Sequence, residues 1–398
     1  MTGLYGAAHP HQWSFTVIAA RIRHFPPKTR WAEPRLGRYA PSGRPSVPAL
    51  QGPNAISDSH RSRVVLVTRS ADENIPLRFR AAFTAALDEA GVGQGGALVL
   101  ADGYDVDFVR EVPAGPDIVG LVVAPPTGLT AAHVAALPGL RVVAAPAVGY
   151  DHLDVAALAA AGVQVAHTPG YCDVEVADHA IAMIVALLRN LHVGDALVRA
   201  GGWSSRAVGA KRITGSVLGV VGLGRTGALV AARAAGLGMR VLAWAPRTPA
   251  ARARELGATP VGTLADLLRA SDVVSLHLPL TPDTKNLIDA DALAALRPGA
   301  ALVNCGRGEL VDHGALLAAL ASGRLAGAAL DVLDTEPPPA DHIAFALPRT
   351  IITPHLAWLS PESEYASYEM AAAAIAAVLR GRSPQHVVEK QEQQTSDE

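Results

Sequence analysis

The chain has 398 residues, 50% of them apolar and 5% aromatic, with a formal net charge of −2. That length divides most naturally into two domains of ordinary size. The near-neutral balance argues against nucleic acid or an anionic membrane surface as partner, and no apolar run is long enough to span a bilayer. Two cysteines, Cys172 and Cys305, cannot build a disulfide framework and fit a reducing cytoplasm.

Residues 1–62 stand apart. They are rich in arginine and proline (Pro26, Pro27, Pro34, Pro41, Pro45, Pro48, Pro53), and their acids are Glu33 and Asp58. Such a stretch buries too little apolar surface to offset its ordering entropy and is expected to be a disordered extension. An Arg-rich, acid-poor transit peptide is the alternative. The polar residues 389–398 are expected to fray. Between these ends, residues 64–67 form a short apolar run typical of a buried parallel strand. A helix follows over 78–90, stopped by Gly91, and further strands are expected at 98–100, 118–123 and 140–144. This first α/β unit covers 63–168. Residues 174–191 predict a long Ala-rich helix, apolar most of the way round, buried in its own chain or against a second subunit. A second series then supplies strands at 218–221, 240–244, 273–276, 300–304, 328–332 and 351–352, most separated by short helices. Regular alternation of this kind gives a parallel sheet with helices on both faces.

The second series opens on Gly222-Leu223-Gly224-Arg225-Thr226-Gly227, a G-x-G-x-x-G turn between a strand and a helix expected to run to Gly236. In that context the hexapeptide points to a dinucleotide: Gly222 for a tight turn, Gly224 for close approach of the pyrophosphate, Gly227 for close helix–strand packing. The helix N-terminus attracts the phosphates. Where an acid would grip the ribose hydroxyls of NAD, at the end of the next strand, the chain has Ala245, with Arg247 two residues on. That pairing leans the cofactor from NAD towards NADP, since an Arg there can face a 2′-phosphate.

Three candidate catalytic groups follow successive strands: Arg307, Glu336 and His355. Ligands of open α/β sheets bind beyond those strand ends. An Arg suits a substrate carboxylate because its fork matches two oxygens. A His can carry a proton near neutral pH, and a carboxylate beside it fixes its tautomer. The set is matched to the reduction of a 2-keto acid and needs no metal.

These segments, together with the 274–281 stretch Val-Ser-Leu-His-Leu-Pro-Leu-Thr, resemble the signature blocks of the D-isomer-specific 2-hydroxyacid dehydrogenases. The likeness runs from about residue 64 to 388. Residues 171–179 and 355–360 are most similar to the C-terminal-binding-protein-like subgroup and its bacterial relatives. The resemblance implies a Rossmann doubly wound parallel sheet (169–354) inserted into a smaller flavodoxin-like α/β substrate domain, which takes up 63–168 and the returning 355–388. It implies that Arg307 binds substrate, that His355 is the acid/base and that Glu336 pairs with it. Asp331 would contact the nicotinamide end; Pro279, Thr284 and Cys305 would border the cofactor. Amides near Val148 and Gly149 would meet the substrate carboxylate, and Trp358 would wall the pocket. His277 and Cys305 are expected mainly to pack. Hinges are implied near 167–170 and Pro354, and a homodimer through the nucleotide domain.

The chain departs from the pattern at Ala145, where the subgroup has an Arg, and at Ala147, where a Gly is usual. With Ala245, these positions keep two alternatives open: an NAD(H)-sensing corepressor-like binding protein, or a catalytically degenerate member. Formate dehydrogenases of the family pair the His with Gln, whereas Glu336 stands here. The longer phosphoglycerate dehydrogenases carry a regulatory domain after the His, for which the 43 residues after His355 are too few.

Overall fold

A computed structural model describes residues 63–68, 97–102, 118–125 and 127–388, all within one unit, Ser57–Glu398. The expected extension 1–62, the helix at 78–90 and the tail 389–398 lie outside the described residues. Two parallel sheets form the described part. The first has the order β2-β1-β3-β4-β5, with β1 Arg63–Thr68, β2 Ala97–Asp102, β3 Ile118–Val123, β4 Val142–Ala144 and β5 Gln164–Ala166.

The second sheet has seven strands: β6 Val217–Val221, β7 Arg240–Trp244, β8 Thr259–Pro260, β9 Val273–Leu276, β10 Ala300–Asn304, β11 Leu325–Leu330 and β12 Thr350–Ile352. Their order is β12-β11-β10-β9-β6-β7-β8, all parallel. Every residue of β6, β9 and β10 is buried, because helices cover both faces of the sheet. The chain leaves β6 towards β7 on one side and later returns to β9 on the other. The carboxyl ends of β6 and β9 therefore border a crevice at the point where the winding reverses.

One long helix secures this sheet. α1 (Asp173–Arg189) buries Ala177, Ala180, Ile184, Leu187 and Leu188 in one stripe. They pack with Leu218 and Val220 of β6 and with Val230, Ala231 and Ala234 of α2 (Arg225–Gly236). The structure corrects the end of the expected 174–191 helix. The residues it buries within the chain form one stripe, and Val174 on its surface is half-exposed. The helix ends at Arg189, where Asn190 takes a left-handed backbone (φ 48°) and turns the chain by 60° into α3 (Leu191–Arg199). Asn is among the few residues that tolerate that conformation, and here its Nδ2 donates to the carbonyls of Val208 (2.9 Å) and Gly209 (3.3 Å), which pins the turn to a later loop. β11 is also shifted from the expected 328–332, and Asp331 lies just beyond its end. The very short β5 and β8 carry no apolar run long enough to announce them.

After β12 the chain returns to the first sheet. α4 (Pro361–Leu379) starts from Ser360, whose side chain caps Ser363, with Pro361 preset for the first turn. Its Ala371, Ala372, Ile375 and Val378 pack on Val122 of β3 and on Val142 and Ala144 of β4. The small alanines let helix and sheet approach closely. The second sheet is thus an insertion between two segments that share the first sheet's core.

Ile184, fully buried between α1 and the second sheet, gives a direct test of that packing. Ile184→Ala is expected to lower unfolding free energy by about 2–5 kcal/mol in urea denaturation, from lost burial and the cavity left behind.

Candidate functional site

The glycine turn after β6 is shaped for a phosphate-bearing ligand. Gly222 has φ +93°, and a Cβ there would lie 2.6 Å from the carbonyl oxygen of His277. A Cβ on Gly227 would collide with the carbonyl of Gly222, so this glycine lets the helix seat against the turn. The Cβ position of Gly224, which caps α2, faces open space. Backbone amides at the helix start are therefore approachable, as a pyrophosphate requires. Leu223 is buried beneath the turn, Thr226 is half-buried, and Arg225 reaches back to Asp173 (3.1 Å). Beyond β7 lies a cavity of about 170 Å³ lined by Trp244, Ala245, Pro246, Thr248, Pro260 and Val261 among others. Arg247 is exposed at its side. Turn and cavity together suit a dinucleotide laid along the strand ends.

Arg307 is set by the end of β10. The buried side chain of Asn304 accepts from the Gly306 amide (3.0 Å) and donates to the Arg307 carbonyl (2.8 Å), which folds the intervening loop tightly. The guanidinium donates through Nη1 to the Gly306 carbonyl (2.9 Å) and through Nε and Nη2 to Asp151 Oδ1 (3.3 and 3.2 Å). It also lies against Gly149, where any Cβ would run into it. Arg307 and the expected carboxylate loop are thus brought together across the two sheets. Burial acts to raise the Asp151 carboxyl, but the Arg307 charge and hydrogen bonds outweigh it and hold the group below its usual range. Val148 has an exposed side chain, and its carbonyl accepts from His167 Nδ1 (2.8 Å).

His355 and Glu336 also meet. His355 Nδ1 lies 2.6 Å from Glu336 Oε2, while Oε1 accepts from the Leu333 amide (2.9 Å). The ring is thereby oriented with Nε2 on the side away from Glu336. Beneath it sits Asp331, 1% exposed. Its Oδ1 accepts from Thr353 Oγ (2.6 Å) and the Leu356 amide (2.9 Å), its Oδ2 from the Ala357 amide (2.9 Å), and its carbonyl from the His355 amide (2.8 Å). His179 Nε2 completes the cluster, 3.2 Å from Thr353 Oγ. The Asp331 carboxylate is therefore engaged with the His355 segment.

The remaining predicted residues are distributed around this centre. Trp358 lies 6.3 Å from the ring of Tyr171, forming an aromatic wall. Pro279 is exposed on a turn closed by Thr284 Oγ, which donates to the Pro279 carbonyl (2.8 Å) and accepts from the Thr281 amide (2.8 Å). Cys305 packs against Met183 (Sγ to Sδ 3.7 Å), and burial pushes its thiol far up, so it stays protonated. His277 contacts Ser275 Oγ (2.8 Å), and burial lowers its pKa to about 4, leaving it neutral. Sequence reasoning missed Asp151, Asn304, His179 and Thr353. An acid inside a loop expected to bind a carboxylate was the available signal for Asp151; an Asn ending a fully apolar strand was the signal for Asn304.

The comparisons with known proteins agree with this geometry. Residues 181–357 match the family described as D-isomer specific 2-hydroxyacid dehydrogenase, NAD binding domain. The D-3-phosphoglycerate dehydrogenase of Mycobacterium leprae (strain TN) is 40% identical over 258 residues, covering 65% of this chain and 48% of that protein. The glyoxylate reductase of Pyrococcus furiosus is 37% identical over 221 residues, covering 54% and 65%. The chain spans about half the length of the first curated relatives it matches. Among solved structures, the TT0316 protein from Thermus thermophilus is 36% identical with a TM-score of 0.71, covering 82% of this chain and 100% of that one. These matches do not single out the C-terminal-binding-protein-like subgroup. With its NAD-binding crevice at the winding reversal and its inserted second sheet, the chain belongs to the D-isomer-specific 2-hydroxyacid dehydrogenase family.

Proposed function

We propose that the protein interconverts a small 2-keto acid and its D-2-hydroxy acid, working mainly as a reductase. The observation that carries this reading is the Glu336–His355 pair, 2.6 Å apart, on the strand ends next to the loop of Arg307. A nicotinamide dinucleotide, when bound, would supply the hydride. The chain's own residues do the rest. Arg307, with amides near Val148 and Gly149, holds the carboxylate and orients the carbonyl. His355 Nε2 gives its proton to the oxygen that becomes the hydroxyl, and takes one back in the oxidative direction. Glu336 fixes the ring through Nδ1, and Trp358 with Tyr171 shields one side from water.

We assign Pro279, Thr284 and Cys305 to the cofactor side of the crevice, and Asp331 to holding the His355 segment beneath the nicotinamide end. Ala245 and Arg247 make room for a 2′-phosphate, so both NADH and NADPH are within the design. The same reading includes a homodimer. Leu191 and Val198 of α3, and Trp203 just after it, are exposed apolar side chains on one projecting segment, with Trp203 91% exposed. A second copy of that segment is the occupant suited to cover them.

Steady-state oxidation of NADH and NADPH is to be followed against glyoxylate, pyruvate, hydroxypyruvate, phenylpyruvate and branched 2-keto acids. His355→Ala should lower kcat by about 10²–10⁴-fold and Glu336→Gln by a smaller factor, with NADH affinity little changed. Unaltered turnover in His355→Ala would remove the assignment, and tight cofactor binding without turnover of any keto acid would favour a sensing role. Ala245→Asp should raise the kcat/KM ratio of NADH over NADPH by roughly tenfold or more, because the new carboxylate binds ribose hydroxyls and repels a phosphate. Trp203→Glu should shift sedimentation from dimer to monomer; an unshifted dimer would place the interface elsewhere.

A further inference from the structure

His167 has no place in the mechanism above, yet its ring holds the loop assigned to the substrate carboxylate. After β4 that loop runs beside the chain leaving β5, and three bonds join them. The Ala145 amide donates to the Ala166 carbonyl (2.9 Å) and the Thr168 amide to the Ala147 carbonyl (3.0 Å). The third bond comes from a side chain: His167 Nδ1 donates to the Val148 carbonyl (2.8 Å). A carbonyl can only accept, so the proton of the neutral ring is on Nδ1. Burial lowers the His167 pKa against the pull of the Val148 bond, and the charges of His386 and Arg225 add to the lowering.

The side-chain bond fixes which way one peptide faces. In an extended strand successive carbonyls point to opposite sides. Here the carbonyls of Ala147 and Val148 are both turned towards residues 167–168. A trans peptide sets its amide opposite its carbonyl, so the amides of Val148 and Gly149 leave the other side together. Two adjacent amides pointing one way form a small anion-binding concavity. The Arg307 guanidinium rests on Gly149, where a Cβ would collide with it, so an anion on Arg307 lies within reach of the Gly149 amide. The ring itself is held in place. Tyr150 of the same loop meets it edge-on (centroids 5.3 Å), and the His386 ring stands 6.4 Å away. The His167 amide donates to the His386 carbonyl (3.1 Å).

We propose that His167 is a positioning residue for the substrate carboxylate, its Nδ1–H holding the Val148–Gly149 peptide in the orientation that presents the Gly149 amide beside Arg307. The proposal deepens the reductase reading and rests on its placing of the carboxylate at this loop. Without the ring's donor the Val148 carbonyl is free to rotate, and the Gly149 amide turns with it, because the two share one rigid plane. The effect falls on the binding of the acid and not on the proton that His355 carries.

The test compares the full-length protein with His167→Ala, His167→Leu and His167→Asn. The first two lack a donor, and Leu keeps apolar bulk against Tyr150 should the Ala variant unfold. Asn Nδ2 returns a donor near the place of Nδ1. The kcat and KM of pyruvate and glyoxylate are measured with NADH. NADH affinity is followed by fluorescence, and oxamate binding to the NADH-loaded protein by calorimetry. His167→Ala and His167→Leu should raise KM and the oxamate Kd by roughly tenfold, the scale of one hydrogen bond to an ion. Their kcat and NADH affinity should stay within about threefold of wild type, and His167→Asn should bring KM and the oxamate Kd back to within about threefold. KM and oxamate affinity unmoved in both donorless variants overturn the proposal. So does an Asn variant as weak as Ala, or a fall of kcat and NADH affinity in step with the rise of KM. In each of these cases wild-type turnover leaves the reductase reading standing. Oxamate binding weakened in the donorless variants and restored by Asn, with no turnover of any keto acid by the wild type, supports the positioning role and sinks the reductase reading. A wild type that neither turns over keto acids nor binds oxamate overturns both.

Discussion

The site depends on a buried carboxylate. Asp331 lies just beyond the end of β11 with almost no access to water, where an unsatisfied charge would be costly. It is satisfied by three donors, all from residues 353–357, while its own carbonyl takes the His355 amide. The link runs both ways. The segment must adopt one shape to satisfy the charge, and the charge must be present for the segment to hold that shape. His355 comes into reach of Glu336 as a result, and α4 starts soon after the last of the donors. Ser360, its cap, also donates to Glu175 of α1 (2.8 Å), so the returning helix is tied to the sheet it has just left.

Two sheets divide the work around this anchor. The second sheet brings the glycine turn, Arg307, Glu336 and His355 to one edge, because strands β6, β10, β11 and β12 are parallel and all end there. The first sheet contributes the 145–151 loop. The Arg307–Asp151 ion pair is one place where the two halves touch chemically. Its partners come from cores that share no strand, so the relative position of the sheets fixes how much of the Arg307 charge reaches a ligand.

Much of this was legible in the sequence. Runs such as 240–244, 273–276 and 300–304 coincide with strands to the residue, since β9 and β10 are buried along their whole length and β7 alternates its burial, so each is predominantly apolar. The glycine turn declared itself because two of its glycines are enforced by collisions with backbone. The Glu336–His355 pairing was legible because chemically matched residues follow successive strands. What escaped notice depends on contacts across long separations. Asp151 and Arg307 are 156 positions apart, and His179 and Thr353 are 174 apart; no local period encodes either. The helix break at Asn190 was hidden for a different reason: the apolar pattern runs on past it, while one backbone angle decides the turn.

His355 itself sits at φ +50°. A residue with a Cβ gives up on the order of 1 kcal/mol in that region, and a glycine gives up almost none. The backbone at this position would therefore be happier with the residue that has no chemistry at all. Thermostability screens that ignore turnover would drift towards Gly or Asn here, and sequences selected that way would lose the pairing with Glu336. A histidine in a glycine's conformation marks a place where, on the proposed reading, folding stability and chemical competence pull in opposite directions.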